Sequence, residues 1–294
     1  DSILDIGCAN GGLLEALSRC GQKVLAGVDP SPGSVRQVQQ RGFAGFNLKI
    51  SEMSVKTVGT YQAIVMSHVL EHVFDVASSM NILHSLLPEG GVLFLEVPDA
   101  ARYETNYVVP YYYFDPEHIN HFNAALLETL ASIHGFKVLA VRHYALYPSP
   151  LFDYPVVNVV LQKFSAGDPV TVTFHPELAD KVRAFVEKSK RDGSLKKIET
   201  FAESGKPVII WGAGSYTQRL LGGSRLAECN IIAIVDNDIR KQGLEMGRFT
   251  IEHPEVLYQK HGVVLISAAV HAGEIKKEIA AMGIHHSVEI LGEA

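Results

Sequence analysis

Glu117 and His118 stand side by side in Tyr111-Tyr112-Tyr113-Phe114-Asp115-Pro116-Glu117-His118-Ile119-Asn120-His121-Phe122, the densest group of chemically capable side chains in the sequence. An unperturbed imidazole titrates near neutrality, so His118 is the candidate general base, and Glu117 would orient it or balance its charge. Tyr112, Tyr113 and His121 are the expected substrate contacts, with the tyrosines stacking on a sugar or base. His68 and His72 are four apart and His118 and His121 three apart, but no further ligands fall at recognised metal spacings, so no metal is expected.

A second constellation opens the chain. Ile3-Leu4-Asp5-Ile6-Gly7-Cys8-Ala9-Asn10-Gly11-Gly12 reads as a strand that runs into glycines and then a helix, which lets a ligand lie against bare backbone at a helix N-terminus. About twenty residues on, Gly27-Val28-Asp29-Pro30 puts an acid at the end of a second strand, where it can accept from both hydroxyls of a ribose. Together they imply a nucleoside-containing ligand. Three non-glycines separate Gly7 from Gly11, whereas a dinucleotide-binding dehydrogenase needs GxGxxG to seat a pyrophosphate.

These residues need a scaffold that brings strand ends together. Apolar runs at Ile3–Ile6, Lys23–Val28, Tyr61–Met66, Gly91–Val97 and Phe136–Arg142 read as strands, and Leu13–Arg19, Ser34–Arg41, Val76–Leu87 and Ala124–Ile133 carry helical spacing between them. The pattern is a doubly wound α/β domain over residues 1–145. Residues 146–204 read as an irregular, proline- and aromatic-rich connection and then a charged helical connector interrupted near Gly193. A second, smaller Rossmann-like α/β unit occupies 205–294, with strands Val208–Trp211, Ile231–Val235 and Val263–Ser267 and helices Ser215–Leu226 and Gly273–Met282. Its turn Gly212-Ala213-Gly214 and the later Asp236 form a lone GxG signal for a second nucleotide.

LDIGCANGG, GVDPS, Val69-Leu70-Glu71-His72-Val73 and Leu87-Pro88-Glu89-Gly90-Gly91-Val92-Leu93 come in the order found in class I S-adenosylmethionine-dependent methyltransferases, which this chain resembles. The resemblance implies S-adenosylmethionine as cofactor. It places Asp5, Gly7, Ala9 and Gly11 around the methionine part, Asp29 and Pro30 at the ribose, Glu52 and Met53 beside the adenine, and Ser67 and His68 at the sulfonium. The Glu117-His118 pair, together with Trp211-Gly212-Ala213-Gly214, Leu220-Leu221, Asp236 and Gln242-Gly243, extends the resemblance to the deoxysugar C-methyltransferases. That family implies a nucleotide-linked sugar as acceptor. The comparable region here reads His143-Tyr144-Ala145-Leu146-Tyr147-Pro148 in place of that family's His-Gly-Gly-Ser. Two other readings stay open: a methyltransferase for another small molecule with a structural tail, and a non-catalytic nucleotide-sugar or dinucleotide binding protein.

Composition bounds the partners. With 47% apolar and 20% charged residues the chain is globular rather than disordered or membrane-spanning, and a net charge of −6 gives no general attraction for nucleic acid. Cys8, Cys20 and Cys229 form no CxxC pair, which fits a reducing cytoplasm. The sequence opens at Asp1 directly on a strand, so upstream residues are expected to be missing.

Overall fold

The computed structural model describes residues 1–149, 152–164 and 176–292. They form two compact units. The first comprises Asp1–Arg102, Pro116–Leu146 and Tyr154–Lys181; the second comprises Tyr103–Asp115, Tyr147–Asp153 and Val182–Ala294.

In the first unit, strands and helices alternate as β1 (Ser2–Ile6), α1 (Gly12–Arg19), β2 (Val24–Val28), α2 (Pro32–Gln40), β3 (Ala44–Phe46), α3 (Val55–Val58), β4 (Ala63–Ser67), α4 (Val76–Leu86), β5 (Val92–Pro98), α5 (Ala124–Ile133), β6 (Phe136–Ser149) and β7 (Phe152–Lys163). The sheet order is β3-β2-β1-β4-β5-β7-β6. β1 to β5 pair in parallel, and β7 returns antiparallel to β5. A parallel sheet needs both faces covered, which explains why these strands are near-continuous apolar runs. Ala26, Leu4, Ile64, Leu93 and Leu161 line up across five neighbouring strands, each almost wholly buried. Each of the larger members contributes about 1.5–3 kcal/mol of burial.

The helices start where the chain supplies an acceptor. Ser31, Asp75 and Asn123 cap α2, α4 and α5 by taking a backbone N–H of the first turn, and Pro32 opens α2. Gly11 sits before α1 at φ 83 and supplies no side-chain cap, which leaves the first-turn N–H groups of that helix without one.

The stretch read from sequence as an irregular connection is instead strand. β6 runs seven residues past Arg142, and β7 fills the sheet with Val156, Val157, Val159 and Leu161, all fully buried. Pro155 is tolerated because its missing donor falls near the end of the paired ladder. Of the expected connector, residues 150, 151 and 165–175 lie outside the described residues.

In the second unit α6 (Glu177–Lys190) and α7 (Gly193–Ser204) break at the expected place, with Asp192 capping α7. Only the latter part of α6 belongs to this unit. There follow β8 (Val208–Trp211), α8 (Ser215–Gly223), β9 (Ile231–Val235), β10 (Glu245–Met246), β11 (Phe249–Glu252), β12 (Val263–Ile266), α9 (Ala272–Ala281) and β13 (Val288–Ile290), in the sheet order β10-β11-β9-β8-β12-β13. α7 is not a free connector. Ile198 is buried in one core with Leu226 and Cys229, and Leu195 packs against it. Among the described residues no helix is long and apolar enough to cross a membrane.

Candidate active site

β1 carries the chain into the first glycine turn. Gly7 N–H donates to the Val28 carbonyl (2.8 Å), and Gly7, Ala9 and Gly11 adopt φ of 75, 45 and 83°. Gly7, Ala9 and Gly11 are the residues expected to flank the methionine part of the cofactor, and the two glycines have a packing role as well. A Cβ on Gly7 would overlap Val69 Cγ2, and one on Gly11 would lie 3.2 Å from Val38 Cγ2, so both glycines make room for the protein's own packing. Ala9 holds the left-handed conformation despite its side chain, a local cost that the hydrogen bonds to the turn offset.

Asp29 is the fastener. Its Oδ2 accepts Ala9 N–H (3.0 Å), its Oδ1 accepts Ser31 N–H (2.8 Å), and its own carbonyl accepts Asn47 Nδ2 (3.0 Å). Each carboxylate oxygen offers about two acceptor sites, so one remains on each. The group is 9% exposed at the C-terminal end of β2, beside the turn. Two adjacent acceptors at the mouth of a doubly wound sheet suit a vicinal diol.

Below the turn lies Asp5, 4% exposed. Burial first, and the Asp29 charge second, raise its carboxyl to about 7 from an ordinary value of 3.8. The same burial, with both acids nearby, pushes the Cys8 thiol up to about 12, so this cysteine is inert packing and not a nucleophile. A raised acid binds its proton more tightly folded than unfolded, so its contribution is fully present below pH 4 and lost as pH climbs to about 7. Asp5→Asn is therefore expected to melt higher than the parent at pH 8, by on the order of 2 kcal/mol, and to match it near pH 4. Paired thermal melts at the two pH values check this; an equal gap at both would remove the account of Asp5.

The other wall forms where β4 ends. Ser67 Oγ donates to Glu96 Oε1 (2.7 Å), and His68 sits at φ 53 with Nδ1 3.3 Å from Glu71 Oε1 and Nε2 3.7 Å from Glu96 Oε1. A histidine with positive φ, held between two acids at a strand end, is a conformation kept by its surroundings. Pro30 and Glu52 are exposed, and the Glu52 carboxylate accepts Lys49 N–H (2.7 Å). Met53 is buried in the first unit's core rather than presented on an open face.

The expected substrate loop divides between the two units. Residues 116–122 stay with the first, pinned by Asn120, whose N–H donates to Glu71 O (3.0 Å) and whose Nδ2 donates to Val73 O (2.7 Å). This brings His118 to His72, with ring centroids 4.9 Å apart, and to Glu71. The acid that this fold-back brings beside His118 is Glu71, 1% exposed. Glu117 is exposed, and its backbone carbonyl accepts His72 Nδ1–H (2.8 Å), which leaves His72 Nε2 as the acceptor nitrogen of the neutral ring. Ligand atoms of Glu71, His72 and His118 all lie within 4.8 Å of one another, close enough to hold a cation, although spacing alone gave no metal expectation. Burial and the neighbouring His118 lower His121 to about 4, so it is a neutral imidazole at physiological pH.

Tyr112 and Tyr113 fall in the second unit. Tyr113 is 1% exposed, stacked on Tyr103 at 4.1 Å, and its hydroxyl donates to Asn106 O, so it is core and not a substrate wall. Tyr112 lines a cavity of that unit. Sequence reading also passed over Asp99, fully buried at the end of β5, whose Oδ2 meets His143 Nδ1 at 2.8 Å and ties β5 to β6. The Val97-Pro98-Asp99 ending of an apolar strand was the available signal.

Residues 1–141 match the family model described as a methyltransferase domain, and residues 204–290 match one described as C2185-like, N-terminal. The chain is 25% identical over 275 residues to the C-methyltransferase NovU of Streptomyces niveus, covering 87% of this chain and 63% of that protein. It is 34% identical over 97 residues to a ubiquinone biosynthesis O-methyltransferase of Methylocella silvestris, covering 31% of this chain and 38% of that protein. The chain thus spans less than two thirds of the length of either relative. A solved S-adenosylmethionine-dependent methyltransferase from Methanosarcina mazei is similar at 18% identity over 56% of this chain and 92% of that one, with a TM-score of 0.44.

Proposed function

The N-terminal part of this chain is a class I S-adenosylmethionine-dependent methyltransferase domain, and from that premise we propose that the protein moves a methyl group onto a small polar acceptor, a nucleotide-linked sugar. The observation that carries the donor half is Asp29, whose carboxylate keeps one acceptor site on each oxygen after fastening the turn. The cofactor fits these residues: Asp29 would hold both ribose hydroxyls, and the acids Glu71 and Glu96 around His68 would suit a cationic sulfonium. The sugar half rests on the resemblance of Glu117-His118 and of the Gly212-Ala213-Gly214 turn to the deoxysugar C-methyltransferases, and the 25% identity to a C-methyltransferase over 87% of the chain supports the transfer of a methyl group.

When bound, S-adenosylmethionine would supply an activated methyl group on a positively charged sulfur, suited to in-line transfer. The chain's own work is alignment and proton removal. Asn120 fixes the 116–122 segment on the exit from β4, which sets where His118 can reach. His118 takes the acceptor proton, and the buried Glu71 carboxylate balances the imidazolium that forms. Glu71 thereby takes the part that sequence adjacency assigned to Glu117. His121, held neutral, is suited to hydrogen-bond an acceptor hydroxyl without competing for the proton.

Calorimetric titration with S-adenosylhomocysteine tests the donor half, and one molecule bound per chain is the expected result. Failure to bind at millimolar concentration ends this reading. A thermal-shift series of nucleotide-linked sugars with S-adenosylhomocysteine present tests the acceptor half, and stabilisation by a phenol but by no sugar would reverse it.

A further inference from the structure

Glu71 is a buried carboxylate with little to compensate its charge. It is 1% exposed, and among the described residues neither of its side-chain oxygens accepts a hydrogen bond. His68 Nδ1 comes to 3.3 Å from Oε1 without making one. A buried ionised carboxylate is costly unless a cation or several donors offset the lost hydration. The local chain nevertheless holds it inside. Leu70 and Val73, on either side of Glu71-His72, are buried in the first unit's core, and the Glu71 backbone carbonyl takes Asn120 N–H.

Two imidazoles meet this carboxylate from different segments. His72 is exposed and gives its Nδ1–H to the Glu117 carbonyl (2.8 Å), which fixes the tautomer and leaves the Nε2 lone pair for a ligand. A backbone carbonyl on the far nitrogen is a common support of a metal-binding histidine. His118 arrives on the 116–122 segment, with its ring centroid 4.9 Å from that of His72. One ligand atom from each of the three residues lies within 4.8 Å of the others. Ligands held at about 2.1 Å from a tetrahedral centre stand roughly 3.4 Å apart, so the closing movement required is at most roughly 1.4 Å.

The donor set selects the cation. Two imidazole nitrogens and one carboxylate oxygen, with the exposed His72 side open to a water, make the three-ligand arrangement of a zinc site with an open fourth position. Magnesium and calcium require six or more oxygen ligands, a different chemistry from this cluster. We propose that Glu71, His72 and His118 bind a divalent transition-metal cation of the zinc type. The site stands on this geometry alone. Its consequence rests on the role proposed above for His118: a neutral imidazole has a single lone-pair nitrogen, and a cation that takes it withholds the base from the acceptor. A filled site therefore stops methyl transfer.

Calorimetric titration of the full chain with zinc chloride, and visible absorption with cobalt chloride in its place, test the site. The expected result is one cation per chain with the cobalt bands of a four-coordinate centre, affinity weakened tenfold or more in His72→Asn and in Glu71→Gln, and no competition from magnesium chloride. Asparagine keeps a donor where Nδ1 stands and removes Nε2, so His72→Asn is the decisive variant, with an unchanged metal-free melting profile as its folding control. Cys20 is the exposed thiol of the three cysteines, and Cys20→Ser should bind zinc as the parent does. Absence of zinc binding at millimolar concentration, or parent affinity in His72→Asn, overturns the proposal. Zinc that binds as expected and leaves methyl transfer running would count against His118 as the base and not against the site.

Discussion

Asp29→Ala is expected to weaken S-adenosylhomocysteine binding by about 100-fold or more, because one carboxylate serves both the ligand and the turn that shapes its site. Removing it strips two backbone donors of their acceptors, Ala9 N–H and Ser31 N–H, at a cost of about 1–3 kcal/mol for each that stays buried. It also removes both free acceptor positions from the crevice. Asp29→Asn separates the two effects. The amide keeps the shape but turns one oxygen into a donor that opposes Ala9 or Ser31, so stability falls less than for alanine while affinity still drops. Calorimetry with S-adenosylhomocysteine and thermal melts of both variants give the comparison. Parent-like affinity in Asp29→Ala would remove the residue from the ligand site.

His118→Ala should cut turnover by about 10²- to 10⁴-fold while S-adenosylhomocysteine affinity stays at the parent value, as expected for a base that acts on the acceptor and not on the donor. Glu71→Gln tests the spatial assignment. The amide fills the same buried space, yet an imidazolium at His118 then loses its counter-charge, so turnover should fall about tenfold or more and the acid limb of the pH profile should move to lower pH. Glu117→Gln keeps the backbone carbonyl that holds His72 and should cost less turnover than Glu71→Gln. Full turnover in His118→Ala, or a Glu117→Gln loss larger than that of Glu71→Gln, would contradict the assignment.

The contrast between Glu71 and Glu117 shows how far the sequence could be read. Doubly covered strands such as Ile3–Ile6 and Val208–Trp211 announce themselves as apolar runs, and the acid closing the second strand was legible because its distance from the first glycine turn is set by one βαβ unit. β3, β10 and β13 escaped because two or three residues carry no periodicity, and β7 because Pro155 and its aromatic neighbours look like a turn. Which acid stands beside His118 depends on the 116–122 segment folding back onto the exit from β4 through Asn120, a contact between residues 47 or more apart. Likewise Tyr112 and Tyr113 read as one aromatic wall with His118, but the chain passes from one unit to the other between Asp115 and Pro116. The packing role of Gly7, which leaves room for Val69, was not legible because that contact joins residues far apart in the chain.

The account rests on methyl transfer itself, and one measurement addresses it: incubate the protein with methyl-labelled S-adenosylmethionine and a panel of nucleotide-linked sugars, then follow the label by mass spectrometry. The expected result is one labelled methyl group on a sugar, formed in step with S-adenosylhomocysteine and abolished in Asp29→Ala. Donor binding without label on any sugar, with label instead on a phenol, would contradict the acceptor assignment, and absence of donor binding would contradict the account as a whole.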